Sequence, residues 1–214
     1  MSAVTLSNKS TYERTMQLLG GMWFMLLALG LAIKIGSLSE PWPSLLSSLC
    51  LASFYVLLGL LVMTRPPAKA HADGLLPRVA AFAGTYMPWT IGFFGETDKA
   101  LPNLASTVCV LAGMMMMLVT IRHLGKSFSL VPQARSVVQT GPYRWIKHPL
   151  YLAEEIAVFG VVLKSFSSVT LALFVLHIGV QVCRIHYEED LLRRSFPEYA
   201  SYEASRWRLI PYVW

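Results

Sequence analysis

Residues 149–186 read PLYLAEEIAVFGVVLKSFSSVTLALFVLHIGVQVCRIH, two apolar runs joined by the short turn Lys164–Ser167. The runs are continuous rather than alternating, which is typical of membrane helices rather than of half-buried strands. We predict a helical hairpin with arms Pro149–Leu163 and Ser168–His186. Both arms are short for a full crossing, which leaves open tilted helices, a locally thinned bilayer or a partly immersed pair.

The rest of the chain has the same apolar character. Its 214 residues are 55% hydrophobic and only 14% charged, with a mean hydropathy of +0.51. A soluble domain carries roughly a quarter charged residues, and in lipid only a helical bundle or a closed barrel satisfies its backbone. We therefore predict an all-α polytopic membrane bundle of about five to six membrane helices, including the hairpin. Its first four helices are predicted at Met16–Ile33, Pro43–Met63, Leu75–Phe94 and Leu101–Arg122.

Basic residues indicate the orientation of the bundle. With the N-terminus inside, all of the 18 Lys and Arg residues except Lys34, Lys99 and Lys164 fall in inner segments. The positive-inside rule then predicts that both termini and both polar ends of the hairpin face the cytoplasm. The net charge of +6 is explained by this topology, so no nucleic-acid partner is expected.

The sequence lacks the usual signals of a metal site or a soluble nucleotide-binding fold. Cys50, Cys109 and Cys183 fall inside apolar runs without metal-ligand spacing. No GxGxxG, P-loop or HExxH motif is present. We therefore predict no metal.

A dense polar cluster, GPYRWIKHPLY at 141–151, opens the hairpin. Pro149 suits the first turn of a helix, with His148 as its cap residue. Tyr151 and Glu155 are four residues apart, so they are predicted to share a helix face just below His148. One membrane face would therefore carry an imidazole, a phenol and a carboxylate.

A second polar cluster, Arg184–Glu189, ends the other arm. Arg184 and Glu188 are four apart, which fits a simple ion pair on the helix. Glu189 stands beside Glu188, and no cation partner for both is evident on the helix, so the two carboxylates suit a cationic ligand or ribose hydroxyls. Charges in or near a membrane are costly and usually functional. The tail, Tyr187–Trp214, is predicted to lie at the interface or to fold over the site as a lid.

In these residues the chain resembles the isoprenylcysteine carboxyl methyltransferase family of integral membrane methyltransferases, which includes phospholipid methyltransferase relatives. The resemblance runs from Gly125 to Pro211, and the earlier helices match only as hydrophobic helices. Lys147 stands where the family usually has Arg, and Ala153 where it has Gly, and Lys lacks the bidentate geometry of Arg. The matching elements are Gly141-Pro142-Tyr143, Lys147-His148-Pro149-Leu150-Tyr151, Arg184, Glu188-Glu189, Tyr199, Tyr202 and Pro211.

The resemblance implies one integral membrane domain over 1–214, with a four-helix part at 1–123 and a cofactor-binding core at 124–214. It implies S-adenosylmethionine as cofactor and S-adenosylhomocysteine as product. The acceptor would be held by the cations Arg184, Arg144 and Lys147. The implied cofactor-binding residues are Tyr143, His148, Pro149, Tyr151, Glu188, Glu189 and Tyr199.

The expected reaction is methyl transfer to a lipophilic or membrane-embedded acceptor, with membrane lipids as the other partner. A carboxylate acceptor is favoured, because it needs a cation to hold it but no general base. An amine or hydroxyl acceptor would need a base, for which Glu155 or Glu188 could serve.

Two alternatives remain open from the sequence. Sterol-type membrane reductases look similar in this region but use a nicotinamide dinucleotide, for which the chain is short. A non-catalytic membrane protein that retains the fold is the other, and Lys147 is the feature in its favour.

Overall fold

The structure is a computed structural model that describes residues 3–37, 42–91 and 100–214, with side chains for 13–36, 45–91 and 104–214. The described residues are mostly helical, and a two-stranded antiparallel sheet pairs β1 (Ala70–His71) with β2 (Gln133–Ala134). The helices are α1 (Ala3–Ser37), α2 (Trp42–Thr64), α3 (Leu76–Ile91), α4 (Ala100–Leu124), α5 (Pro149–Lys164), α6 (Ser168–Ser195) and α7 (Tyr199–Ala204).

Four of these helices are long and apolar enough to cross a membrane: α1, α2, α4 and α6. This confirms the predicted all-α polytopic membrane protein. The count of five to six includes α3 and α5, which are 16 residues each. A straight crossing needs about 20 residues, so these two helices are the short members of the set. The predicted end of the third helix at Phe94 lies outside the described residues.

The predicted hairpin is present, and its turn is stabilised by a capping box. The Ser167 hydroxyl accepts from the Thr170 amide at 3.1 Å, and the Ser167 amide donates to the Thr170 hydroxyl at 2.9 Å. Two amides at the start of α6 therefore have side-chain partners, which fixes where this helix begins.

The predicted end of the second arm at His186 is wrong, because α6 continues to Ser195. At 1.5 Å per residue its 28 residues span about 42 Å, which exceeds a hydrocarbon core of about 30 Å. Its charged last turns can therefore extend beyond the lipid and stay helical. Phe196 is extended because Pro197 follows it. Residues 187–195 thus belong to α6 rather than to an interfacial tail.

Contacts divide the chain into two compact units, Met1–Pro67 and Ala68–Trp214. The first consists of α1 packed on α2, where a Cβ on Gly21 would lie 3.1 Å from the Gly59 carbonyl oxygen. Such small residues let helix backbones approach closely in lipid. The predicted organisation of 1–214 as one domain with parts 1–123 and 124–214 stays a prediction.

In the second unit, α4 packs closely on α5. A Cβ on Gly113 would lie 2.6 Å from the Ala157 amide nitrogen and 2.7 Å from the Ala153 carbonyl oxygen. Gly160 makes a similar approach from α5, with its Cβ position 2.8 Å from the Ser106 carbonyl oxygen. Ala153 is fully buried in this contact, so a small residue is required there whether it is Ala or Gly. The contact fixes α5 against α4 from its second turn onward, directly after the polar cluster.

The polar part of the second unit has its own small core. Ala134, Leu191, Phe196, Tyr199 and Tyr202 are buried together, with Leu192 packed at the edge of the group. This core joins the end of α6 to α7 and to the β1–β2 sheet. The tail is therefore folded onto the polar loop that precedes α5.

Gly113→Ala is expected to destabilise the protein by about 1–3 kcal/mol, because the added methyl group meets the backbone of α5 rather than a movable side chain. Thermal unfolding in detergent measures the change. Gly179→Ala on α6 is the matched control, since a Cβ there meets nothing within 4 Å. Equal midpoints for the two variants would contradict the close α4–α5 contact.

Candidate active site

A single carboxylate, that of Glu189 on α6, is the centre of the polar cluster. Glu189 is fully buried. The Lys147 ammonium lies 2.8 Å from its Oε1, and His148 Nε2 lies 3.1 Å from the same oxygen. His148 is the N-cap residue of α5 as predicted, but its side chain does not cap the helix. It binds Glu189 instead, so the loop before α5 is fastened to α6 by charge.

Two arginines complete the surroundings of this carboxylate. Arg208 donates from Nε to Oε1 at 3.0 Å and from Nη2 to Oε2 at 2.9 Å. Arg193, four residues along α6, contacts Oε2 at 3.1 Å. The sequence showed no cation on the helix as a partner for both Glu188 and Glu189, and in the structure Arg193 pairs with Glu189. Both its oxygens are bonded by cations of the protein, which makes it a structural centre.

The bidentate contact explains how Lys147 replaces the family's usual arginine. Arg208 supplies the planar, two-point grip on Glu189, whereas Lys147 acts as a point charge between two carboxylates. Its second partner is Glu203 Oε1 at 3.2 Å. Lys147 is therefore already neutralised within the protein.

The tail is also tied to the same loop through the backbone. The Lys147 amide donates to the Trp207 carbonyl at 2.8 Å, and the His148 amide donates to the Arg208 carbonyl at 3.1 Å. The Tyr202 hydroxyl donates to the Tyr143 carbonyl at 2.8 Å. These bonds fit the predicted lid better than a loose interfacial tail, because they hold 202–208 against 143–148.

Glu203 strengthens this closure from α7. Its oxygens accept from Arg193 Nη2 at 2.6 Å and from Arg193 Nε at 2.8 Å. The hydrogen bonds from Arg193, and then from Lys147, lower the pKa of the Glu203 carboxyl despite partial burial. The folded pKa lies below the unfolded one, so this contribution to stability is present at neutral pH and is lost as pH falls through the folded pKa.

A second group lies beside the Glu189 centre, and we name it the tyrosine–glutamate cluster: Tyr143, Tyr151, Tyr199 and Glu188. The Tyr151 hydroxyl donates to Glu188 Oε2 at 2.9 Å, which brings α5 and α6 together. Burial raises the pKa of Tyr143 and of Tyr199, and nearby carboxylates raise both further: Glu188 for Tyr143, and Glu189 followed by Glu188 for Tyr199. These two phenols therefore stay neutral and act as hydrogen-bonding groups rather than as bases.

One atom of this cluster lacks a partner. The Tyr199 side chain is 1% exposed, and its hydroxyl makes no hydrogen bond with the described residues. A buried hydroxyl without a partner costs free energy, so such a group in a site points to a ligand that satisfies it. Tyr202, its neighbour, has its hydroxyl bonded, and burial raises the pKa of Tyr202 to about 12.

Arg184 lies deeper on α6 and does not pair with Glu188 as the i,i+4 spacing allowed. Its Nη1 donates to Gln181 Oε1 at 2.7 Å and lies 3.7 Å from Glu154 Oε2. Its guanidinium carbon lies 4.9 Å from the ring centroid of Tyr151. Arg184 is thus held between carboxamide, carboxylate and ring.

The predicted site residues divide into three sets. Lys147, His148, Glu189 and Pro149, a buried residue that begins α5, form the Glu189 centre. Another set, the tyrosine–glutamate cluster, holds Tyr143, Tyr151, Glu188 and Tyr199. Arg144 stands apart, exposed, with its guanidinium 6.0 Å from the Trp145 ring centroid. Arg184 belongs to neither group, but its guanidinium lies over the ring of Tyr151. Of the predicted site residues, Arg144 is therefore the one that stands apart from the rest.

Tyr151 and Glu155 lie four residues apart on α5 as predicted, but the carboxylate of Glu155 pairs with a histidine of α6. Its Oε1 lies 2.9 Å from Nδ1 of His177, whose Nε2 donates to the Gly84 carbonyl at 2.9 Å. The residues four apart do share one side of α5, but Glu155 is one turn deeper and meets α6 at His177. Glu188 is the carboxylate that Tyr151 contacts.

Sequence reasoning missed Arg193, Arg208 and Glu203 as members of the site. Arg193 could have been found, since it stands four residues after Glu189 on an amphipathic continuation of the helix. Arg208 and Glu203 carry no such signal, because they reach the site only when the tail folds back.

Fold and site together define an integral membrane protein with a polar, tyrosine-rich site at one end of a helical hairpin. Residues 102–199 match the model of the family described as Phospholipid methyltransferase. The predicted resemblance is confirmed over this segment, which contains most of α4, all of α5 and α6 and the first residue of α7. The matched family is one of methyltransferases, so the match supports methyl transfer as the activity. Neither the curated proteins nor the solved structures include a match to this chain.

Glu189→Gln is expected to destabilise the protein by about 3–5 kcal/mol, because it leaves the buried Lys147 ammonium and the partly buried Arg208 guanidinium around a neutral group. Thermal unfolding in detergent measures this. The control is Asp190→Asn on the next residue, whose exposed pair with Arg193 is worth about 1 kcal/mol or less. A Glu189 variant no less stable than the Asp190 variant would rule out a central role for this carboxylate.

Proposed function

We propose that the protein is an S-adenosylmethionine-dependent methyltransferase that acts on a lipophilic acceptor in the membrane. The observation that carries the proposal is the tyrosine–glutamate cluster, in which the Tyr151 hydroxyl donates to Glu188 Oε2 at 2.9 Å at the end of a membrane hairpin, and the buried phenols Tyr143 and Tyr199 feel the charge of the same carboxylate. The methyltransferase family match covers the helices that supply Tyr151 and Glu188.

The cluster fits the proposed cofactor in its chemistry. Aromatic faces and a carboxylate attract a sulfonium cation, as they attract ammonium groups. The buried Tyr199 hydroxyl has an unused donor and acceptor for a polar group such as a ribose hydroxyl. Glu188 has one oxygen bonded to Tyr151, which leaves acceptor capacity on the other.

When bound, the cofactor supplies a methyl group on sulfur that an acceptor atom takes by in-line displacement. The chain's own task is therefore alignment and exclusion of water rather than acid or metal catalysis. Tyr151, Tyr143 and Glu188 would hold and orient the polar groups. The tail segment, bonded to the Lys147 and His148 amides, would close the site from the aqueous side.

A carboxylate acceptor is proposed first, with Arg144 as the residue that holds it. Lys147 is already engaged by Glu189 and Glu203, and Arg184 by Glu154. Arg144 is exposed and makes no ion pair with the described residues, so its charge is available to an acid.

A phospholipid amine is the second candidate acceptor, favoured by the description of the matched family. An amine must lose a proton, and Glu188 is the carboxylate placed to accept it. Glu155 is unsuited to this role because it is engaged by His177.

The same proposal places both termini and the site on the cytoplasmic side. The orientation rests on the distribution of Lys and Arg along the sequence. If α1 to α6 alternate in direction, the loops 65–75 and 125–148 and the tail lie on one side of the bundle, and the positive-inside rule assigns that side to the cytoplasm. The soluble cofactor would reach the site from there, and the acceptor from the bilayer.

Titration calorimetry on detergent-purified protein tests the cofactor. We expect S-adenosylmethionine and S-adenosylhomocysteine to bind, and Glu188→Ala to weaken both by about tenfold or more, since it removes the cluster's only carboxylate. Glu198→Ala, at the exposed glutamate that precedes α7, is the matched control and should bind as the wild type does.

Absence of binding to folded wild-type protein would overturn the proposal. Binding of a nicotinamide dinucleotide instead would support the reductase alternative, and binding of neither would support a non-catalytic role. The acceptor is then identified with radiolabelled methyl groups offered to a prenylated cysteine acid and to a phospholipid amine in vesicles. A methyl ester releases the label in base, whereas a methylated amine retains it.

A further inference from the structure

We propose that Glu154 and Gln181 are positioning residues, which act by holding Arg184 over Tyr151 and so keep the Tyr151 hydroxyl on Glu188. The inference rests on the proposed function, because it concerns how the tyrosine–glutamate cluster is kept in its binding geometry. We name Glu154, Gln181 and Arg184 the arginine clamp.

The clamp is a closed set of three contacts between α5 and α6. Gln181 Nε2 donates to Glu154 Oε2 at 2.8 Å, and Arg184 Nη1 donates to Gln181 Oε1 at 2.7 Å. Arg184 Nη1 and Glu154 Oε2 complete the set at 3.7 Å. The amide of Gln181 thus uses both its oxygen and its nitrogen, so it cannot turn over without losing both bonds.

Because Gln181 and Arg184 are buried, Arg184 depends on its contacts with Glu154 and Gln181. Gln181 and Arg184 are 3% and 6% exposed, on a helix that is long and apolar enough to cross a membrane. A guanidinium in such a place needs partners on its edge, because its charge has lost its water. Glu154 supplies the negative charge that balances Arg184, and the hydrogen bond to Gln181 fixes the orientation of the guanidinium. The flat face of the guanidinium is therefore left to stack on an aromatic ring.

The face of the Arg184 guanidinium lies over the ring of Tyr151, a member of the tyrosine–glutamate cluster. The Arg184 guanidinium carbon is 4.9 Å from the Tyr151 ring centroid, and the Tyr151 hydroxyl is 2.9 Å from Glu188 Oε2. Contacts therefore run without a break from Glu154 through Arg184 and Tyr151 to Glu188. A shift of the guanidinium would free the ring and change where its hydroxyl points.

A glycine on a third helix leaves the room that the clamp needs. A Cβ on Gly84 of α3 would lie 2.6 Å from Arg184 Cδ, 2.7 Å from its Nη1 and 3.1 Å from Gln181 Oε1. Any larger residue would push Arg184 towards or off the tyrosine ring. Gly84 thus offers a way to disturb the clamp without removing any of its polar groups.

The neighbouring ion pair of Glu155 and His177 is separate from the clamp. It joins the same two helices, and its histidine donates to the Gly84 carbonyl, but among the described residues no hydrogen bond, ion pair or ring contact joins it to Arg184 or Tyr151. Glu155 therefore provides a matched control for Glu154: the next residue, the same chemistry and a partner on the same helix.

The test measures the dissociation constant of S-adenosylhomocysteine by calorimetry, which needs no turnover. We expect Glu154→Gln and Gln181→Leu to raise it about five- to twentyfold, and Glu155→Gln to leave it within about twofold even where it lowers the unfolding midpoint. In a Tyr151→Phe background, which removes the hydroxyl, Glu154→Gln should have an effect of about twofold or less. That non-additivity distinguishes action through Tyr151 from a general loss of packing.

Gly84→Ala serves if Gln181→Leu does not fold, and it should weaken binding while all polar groups of the clamp remain. Wild-type protein that fails to bind the compound would defeat the proposed function itself. Wild-type binding with equal effects from Glu154→Gln and Glu155→Gln, or with additive effects of Glu154→Gln and Tyr151→Phe, would overturn the positioning role alone.

Discussion

The polar half of this protein depends on one buried negative charge. The carboxylate of Glu189 is surrounded by Lys147, His148, Arg193 and Arg208, which come from the loop before α5, from α6 and from the tail. Desolvating so many charges is costly, and the cost is met only when all partners are in place. The carboxylate therefore couples three segments that are distant in sequence, and the site exists only where they meet.

The membrane helices of the second unit are held together by close packing. There the helices approach through small residues, Gly113 and Gly160 between α4 and α5 and Gly84 between α3 and α6. At Gly113 and Gly160 the neighbouring atoms include backbone atoms of the facing helix, so the position of α5 against α4 is closely fixed, whereas at Gly84 they are side-chain atoms of Arg184 and Gln181. Polar side chains on the facing sides of α5 and α6 form hydrogen bonds with one another, and one of these bonds joins Tyr151 to Glu188.

Sequence reasoning reached the helices and most of the site because both depend on local patterns. Continuous apolar runs mark α1, α2, α4 and the hairpin, and the His148–Pro149–Tyr151 and Glu188–Glu189 elements mark the polar ends. It failed where partners come from far along the chain. Nothing local shows that Arg208 grips Glu189 or that Glu155 turns to His177. Ending α6 at His186 was wrong because charge was taken as the end of a helix rather than the end of the lipid.

Hydrogen exchange across 141–151 and 199–214, with and without S-adenosylmethionine, tests whether the tail and the loop before α5 together build the site around Glu189. We expect the Lys147 and His148 amides, which donate to the Trp207 and Arg208 carbonyls, to exchange slowly in the free protein. We also expect the cofactor to add protection in both segments together. Fast exchange at these two amides, or protection confined to another part of the chain, would contradict a site built by the tail and the loop around Glu189.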